Sequence, residues 1–291
     1  MRWPDSLISD IAARRAVLFF GAGISMNSRS AKGASPKSWW GFLNSAIDRI
    51  DDQERKTIKD VKSLLKSNDL LTACEVIKRC LGRDEFIELM KDEFQRPGFE
   101  PAEIHECLWK LDFRMAITPN FDTIYETLTA RRGNGTVLIK NYHDDDIAES
   151  LRRPERIVIK SHGSIGSPNK LIFSRIDYAK ARNTHRGFYE LLSSLLCTNT
   201  FLFVGCGLED PDIRMLLEDY QYRHGFSRQH YFALASNRFS GYVKNVFAES
   251  LNLKFVEYRY TQDHSELLVG LKDLLPRVEQ LRIDMGRRTE W

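Results

Sequence analysis

Val17-Leu-Phe-Phe-Gly-Ala-Gly-Ile-Ser25 runs from an unbroken apolar segment into two closely spaced glycines and a serine. An apolar run this short, closed by a glycine, reads as a buried strand rather than a helix. Gly21 permits a tight turn, and Gly23 removes the side chain where backbone must come close to a pyrophosphate. A helix opening at this point would aim free N–H groups and a positive dipole end at an anion. Met26 stands where the third glycine of G-x-G-x-x-G would fall. Taken alone, the stretch therefore fits both a nucleotide cradle and a purely structural strand-to-helix joint.

Upstream, Pro4 to Arg15 read as a short helix with Leu7, Ile8 and Ile11 on one face. Downstream, strand-like runs recur at Met115 to Thr118, Thr136 to Lys140, Arg156 to Lys160, Thr200 to Val204, Tyr231 to Ala235 and Leu253 to Tyr258. Helical stretches separate them, which argues for a parallel sheet covered on both faces. Between about Pro36 and Leu111 the apolar spacing is helical throughout, with Leu64, Leu65, Val76, Ile77, Phe86 and Met90 among the periodic positions. The expected architecture is α/β, a Rossmann-like doubly wound parallel sheet formed by residues 1–35 and 112–291, with an inserted helical module at 36–111.

Composition narrows the function classes. At 291 residues and 42% hydrophobic, the chain can bury one large core or a core plus a smaller module. Lysine and arginine number 43 against 40 acidic residues, so the balance gives no reason to expect a dedicated nucleic-acid binder. No uncharged apolar run approaches the roughly 18 residues of a membrane span. The first residues carry Asp5, Asp10, Arg14 and Arg15 instead of a signal peptide's apolar centre, which predicts a cytoplasmic protein. Five cysteines, at 74, 80, 107, 197 and 206, form no C-x-x-C. Neither a disulfide framework nor a structural zinc site is expected, and no metal is assigned.

Three constellations fall where this topology places ligands, at the carboxyl ends of strands. In Thr118-Pro-Asn120-Phe-Asp122, Asn120 can hold a ribose hydroxyl or a water and Asp122 can accept from an amide; both residue types also serve as plain turn and N-cap residues. Ile157-Val-Ile-Lys-Ser-His162-Gly163 ends a buried strand in a histidine, the usual general base near neutral pH and equally a common structural residue. Phe201-Leu-Phe-Val-Gly205-Cys-Gly207 is a second strand-to-glycine turn, able to pass close to a ribose or simply to turn.

In this order, the four motifs resemble the sirtuin-like NAD-binding family. Gly21-Ala22-Gly23-Ile24-Ser25 looks like its phosphate-binding start, Thr118-x-Asn120-x-Asp122 its nicotinamide-ribose motif, and His162-Gly163 its catalytic histidine turn. Gly205-Cys206-Gly207 stands where the family usually has a Gly-x-Ser adenosine-ribose turn. The resemblance implies that Gly21, Ala22, Gly23 and Ser25 face the phosphates, with Gly205 and Gly207 near the adenosine ribose. It further implies that Asn120 positions the nicotinamide ribose or the attacking water, Asp122 holds the nicotinamide amide, and His162 acts as base on a ribose hydroxyl.

Departures point to one branch. Deacylating sirtuins carry a four-cysteine zinc module and a Gly-Ile-Pro-x-Phe-Arg segment after the first turn; here Arg29 replaces that glycine and the module is missing. Gly33-x-x-Pro36-x-x-Trp39, Leu171-Ile-Phe-Ser-Arg-Ile-Asp-Tyr178 and Gly205-Cys-Gly-Leu-Glu-Asp210-Pro-Asp-Ile-Arg214 look like bacterial sirtuin-like proteins of antiphage defence. For that branch the resemblance implies hydrolysis of NAD to nicotinamide and ADP-ribose, with NAD as substrate and water as acceptor. It also implies a homo-oligomer, silent until triggered, working with an activating subunit such as a HerA-type ATPase. The alternatives are an NAD-dependent protein deacylase and a non-catalytic NAD or ADP-ribose sensor.

Overall fold

The structure is a computed structural model that describes residues 1–208, 210–225 and 227–287. Helix α1 (Asp5–Ala12) leads into β1 (Ala16–Phe20) and a single helical turn, α2 (Ala22–Ser25). Helices α3 (Trp39–Ile47), α4 (Arg55–Lys66), α5 (Leu70–Phe94) and α6 (Glu103–Lys110) follow. The chain then runs through β2 (Met115–Thr118), α7 (Ile124–Gly133), β3 (Leu138–Asn141), α8 (Ile147–Ser150) and β4 (Ile157–Lys160). Helices α9 (Arg175–Thr184) and α10 (Arg186–Thr198) lead to β5 (Thr200–Val204), α11 (Pro211–His224) and β6 (His230–Ala235). Helix α12 (Gly241–Leu251), β7 (Leu253–Tyr258) and α13 (Ser265–Arg287) complete the described order.

Among the described residues the strands form one parallel sheet in the order β3-β4-β2-β1-β5-β6-β7. Pairing extends one way from β1 to β2, β4 and β3, and the other way from β1 to β5, β6 and β7. The reversal at β1/β5 makes the crevice beyond their carboxyl ends the place where an open α/β sheet takes a ligand. The doubly wound Rossmann-like sheet expected from the sequence is thus present.

Period-two alternation divides the sheet residues between two cores. Ala16, Leu18, Phe20, Ala116, Val158, Leu202 and Val204 face a core shared with α1, α6 and α13. Val17, Phe19, Ile117, Ile159, Phe201 and Phe203 face the other, shared with helices α9 to α11. The apolar ends of the chain cover one another: Trp3, Leu7 and Ile11 pack in the same cluster as Leu267, Leu271, Leu274 and Val278. The Trp3 indole N–H donates to the Gly270 carbonyl at 2.7 Å across that contact.

Helices α3 to α5 have a third core of their own, centred on Phe42, Leu43, Val61, Ile77, Phe86 and Met90. Gly82, at φ +72°, kinks α5 within it. Helix α6 lies inside the stretch read as inserted module, yet buries Ile104, Cys107 and Leu108 with α1 and α13. Its period is helical like the module's, and periodicity does not say which core a face meets. Phe121, Ile165, Leu171 and Phe173, from loops at the sheet's carboxyl edge, enter the module's core. Edge-to-face contacts such as Trp39–Phe173 and Phe94–Phe121 lock those loops in place.

Candidate active site

The two glycine turns meet at the switch point. A Cβ on Gly21 would lie 2.7 Å from the Cys206 Cβ, and one on Gly23 would lie 2.8 Å from the Gly205 carbonyl oxygen. Gly205 has φ +63°, and its own Cβ would stand 2.8 Å from the Ile24 nitrogen. The amides of Gly21 and Gly23 donate to the carbonyls of Val204 and Gly205 at 3.1 and 2.8 Å. The contact that forces glycine here is therefore the opposite turn. The expected helix after this turn is the single turn α2, too short to supply an appreciable macrodipole. Ala22 is exposed at the rim, and Gly207 is half-buried in the second turn.

Ser25, Asn120 and Asp122 are buried together. The Asn120 Nδ2 donates to Ser25 Oγ at 2.9 Å, and Ser25 in turn donates to Asp122 Oδ2 at 2.8 Å. Asp122 Oδ1 accepts from the Ile124 amide at 3.1 Å, steering entry into α7. Resemblance assigned Ser25 to phosphate. Its one hydroxyl proton is spent on Asp122, and it stands as the bridge between the two polar residues of the β2 loop.

His162 lies on the neighbouring strand's end and is 5% exposed. Gly163 follows at φ +82°, where a Cβ would come within 2.7 Å of the Lys170 carbonyl, so the turn after the histidine requires glycine. Both ring nitrogens face protein groups. Nδ1 is 3.5 Å from the Tyr178 hydroxyl, and Nε2 is 3.5 Å from Asp210 Oδ2. Tyr178 also donates to Asp210 at 3.3 Å. Asp210 caps α11, its Oδ1 accepting from the amides of Asp212 and Ile213, both at 3.0 Å. Behind it Asp212 is buried, accepts from Tyr189 at 2.8 Å and lies 3.4 Å from Arg182. Burial pushes the Asp212 carboxyl up to about 6, although the nearby His162 favours its charged form.

In sequence, Asp210-Pro-Asp212 carries the signature of a helix cap, a proline at the first helical position and a first-turn acid. That is what the two acids are; their second role beside His162 carries no local sequence signal. Tyr178 is likewise missed as a site residue, being one apolar-face position of α9. Among the described residues no group of three or more His, Cys, Asp or Glu side chains has a metal-binding arrangement, and no helix is long and apolar enough to cross a membrane.

Residues 114–256 match the model of the SIR2-like domain. Over that stretch, just under half of the chain, the sequence is similar to the SIR2-like domain. The matched span takes in β2 through most of β7, and so includes Asn120, Asp122, His162 and the Gly205–Gly207 turn, while Gly21–Ser25 precede it. Similar proteins include NAD(+) hydrolase ThsA of Enterococcus faecium, 26% identical over 89% of this chain and 50% of that protein. The ThsA of Cytobacillus dafuensis is 28% identical over 69% of this chain and 37% of its own length. Defense-associated sirtuin 2 of Bacillus subtilis is 24% identical over 70% of this chain and 19% of its own. The chain therefore spans half or less of the length of these curated relatives.

Proposed function

We propose that this chain is an NAD glycohydrolase, cleaving NAD to nicotinamide and ADP-ribose and depleting cytoplasmic NAD in antiphage defence when activated. The observation that carries the reading is the gathering of Ser25, Asn120, Asp122 and His162 at the carboxyl ends of β1, β2 and β4, beside the β1/β5 switch point. Relatives named NAD(+) hydrolase over most of this chain's length support it.

Nicotinamide in NAD is already a cationic leaving group. The C1′–N bond breaks with its electron pair passing to nicotinamide, water forms the C1′–O bond, and that water's proton is released. Such a reaction needs a held ribose and a stabilised cationic centre more than a strong acid. Asn120 holds the nicotinamide ribose or the water, Asp122 the carboxamide, and His162 takes a proton from a ribose hydroxyl. Gly21, Ala22 and Gly23 line the phosphate side, with Gly205 and Gly207 toward the adenosine ribose. No metal enters the scheme.

In the resting arrangement Asp210 stands against His162 Nε2, which supports a molecule silent until triggered. The trigger acts through a homo-oligomer and an activating subunit, a HerA-type ATPase being the first candidate. The test is incubation of the purified assembly with NAD and an acetylated peptide, followed by chromatography of the products. Nicotinamide and ADP-ribose with the peptide intact are expected. Deacetylated peptide with acetylated ADP-ribose would make the protein a deacylase, and binding without turnover in the triggered assembly would make it a sensor. Light scattering should give a mass above that of one chain.

A further inference from the structure

Lys160 has no exposed surface, a costly place for an ammonium unless it is paired and hydrogen-bonded. It lies at the end of β4, two residues before His162, and its Nζ reaches over to the other half of the site. There it donates to the Asp122 carbonyl at 2.5 Å and pairs with Glu126 Oε1 at 2.6 Å, in the first turn of α7. Asp122 is the residue whose carboxylate holds Ser25 and, through it, Asn120. The sheet ladder already ties the start of this loop to β4, the Ser161 amide donating to the Thr118 carbonyl at 2.9 Å. Lys160 ties its other end. Burial raises the Glu126 carboxyl above its ordinary range, and Lys160 pulls against that rise. Apolar side chains of similar volume usually replace such a pair with no loss of stability, so stability alone gives no reason for an ion pair here.

We propose that Lys160 is a positioning residue: by holding the Asp122 carbonyl it sets the Asn120–Asp122 loop against His162, so that both address the same ribose. The inference rests on the NAD-cleavage reading above. Its test compares the wild-type assembly with Lys160→Met/Glu126→Leu and with Glu126→Gln, in melting temperature and in steady-state NAD cleavage. The double substitution removes the charge pair and the carbonyl contact together, whereas Glu126→Gln keeps the contact. The double variant should melt at or above the wild-type temperature and lose kcat by about tenfold or more, with KM little changed, because small misplacements of reacting groups cost that much. Glu126→Gln should keep most of the wild-type kcat. A smaller kcat loss in a normally melting double variant overturns the proposal, and so does a double variant that fails to fold, since the pair would then serve the fold. If wild-type protein never cleaves NAD, the parent reading falls and takes this one with it; cleavage that is unaffected by the double substitution removes this one alone.

Discussion

On the β1/β5 side of the crevice the fit is steric: glycine backbone at 21, 23 and 205 lies against the facing turn, with the amides of Gly21 and Gly23 already bonded across it. On the β2/β4 side the fit is polar: Ser25, Asn120, Asp122, Lys160 and His162 are all buried, the first four bonded to one another and His162 set against Tyr178 and Asp210. The first side has shape with almost no chemistry, and the second has chemistry held rigid by its own bonds. A substitution should therefore act on the first through fold and on the second through rate.

The largest effect tests the polar side. Asn120→Ala and His162→Ala should each cut NAD cleavage by at least about a hundredfold, the usual worth of a general base or a positioned polar group. Circular dichroism should show the fold intact, because neither residue fills a hydrophobic core. Near wild-type turnover by either variant in the triggered assembly would break the assignment and leave the polar side as structure.

Gly23→Ala tests the steric side. Its Cβ would press on the Gly205 carbonyl at 2.8 Å, a backbone atom that cannot swing away. Overpacking of this kind costs roughly 1–3 kcal/mol, and a thermal melt should show it as a loss of several degrees. An unchanged melting temperature would mean that the two turns separate easily, and the comparison between the sides would fail.

How much of this was legible in the sequence divides along the same line. Buried strands such as β1 and β5 announce themselves as unbroken apolar runs between turn signals, and the glycine turns follow directly from them. The edge strand was read at Thr136 to Lys140 and is found at Leu138–Asn141, because its half-buried side chains give no clean alternation. Asn120 and His162 stand in recognisable motifs, but Lys160 looks like one more residue of an apolar strand, and its partner Glu126 lies on a different element. The same holds for Phe121 and Phe173, whose packing into the helical module becomes visible only when the module folds over the loops. Pairings between distant segments leave no mark on local periodicity.

A comparable effect sharpens the polar side by pH. Asp212 has its folded pKa raised to about 6 by burial. Between the ordinary carboxylate range and pH 6 the native state binds more protons than the unfolded chain, so stability falls as pH rises through that window and stays reduced above it. Asp212→Asn, which still accepts from Tyr189, should raise stability by about 2–3 kcal/mol at pH 8 and by far less at pH 4. A lower melting temperature at pH 8 would show instead that the Arg182 contact outweighs the cost of burying the charge.

The smallest effect concerns Asp210, which the β5 side sends across to the polar side. Its Oδ1 caps α11 while its Oδ2 faces His162 Nε2. Asparagine caps a helix as well as aspartate does, so Asp210→Asn leaves α11 in place and removes only the charge. The Asp210 side chain is 19% exposed and the contact spans 3.5 Å, so losing it is worth less than about 1 kcal/mol. A ribose hydroxyl that needs Nε2 must first displace this carboxylate. The variant should therefore show KM lowered by about threefold, with kcat unchanged, in initial-rate measurements. A fall in kcat of a hundredfold would mean that Asp210 stabilises the imidazolium formed when His162 takes its proton. The contact would then belong to catalysis, and the boundary between a steric side and a chemical side would have to be redrawn through α11.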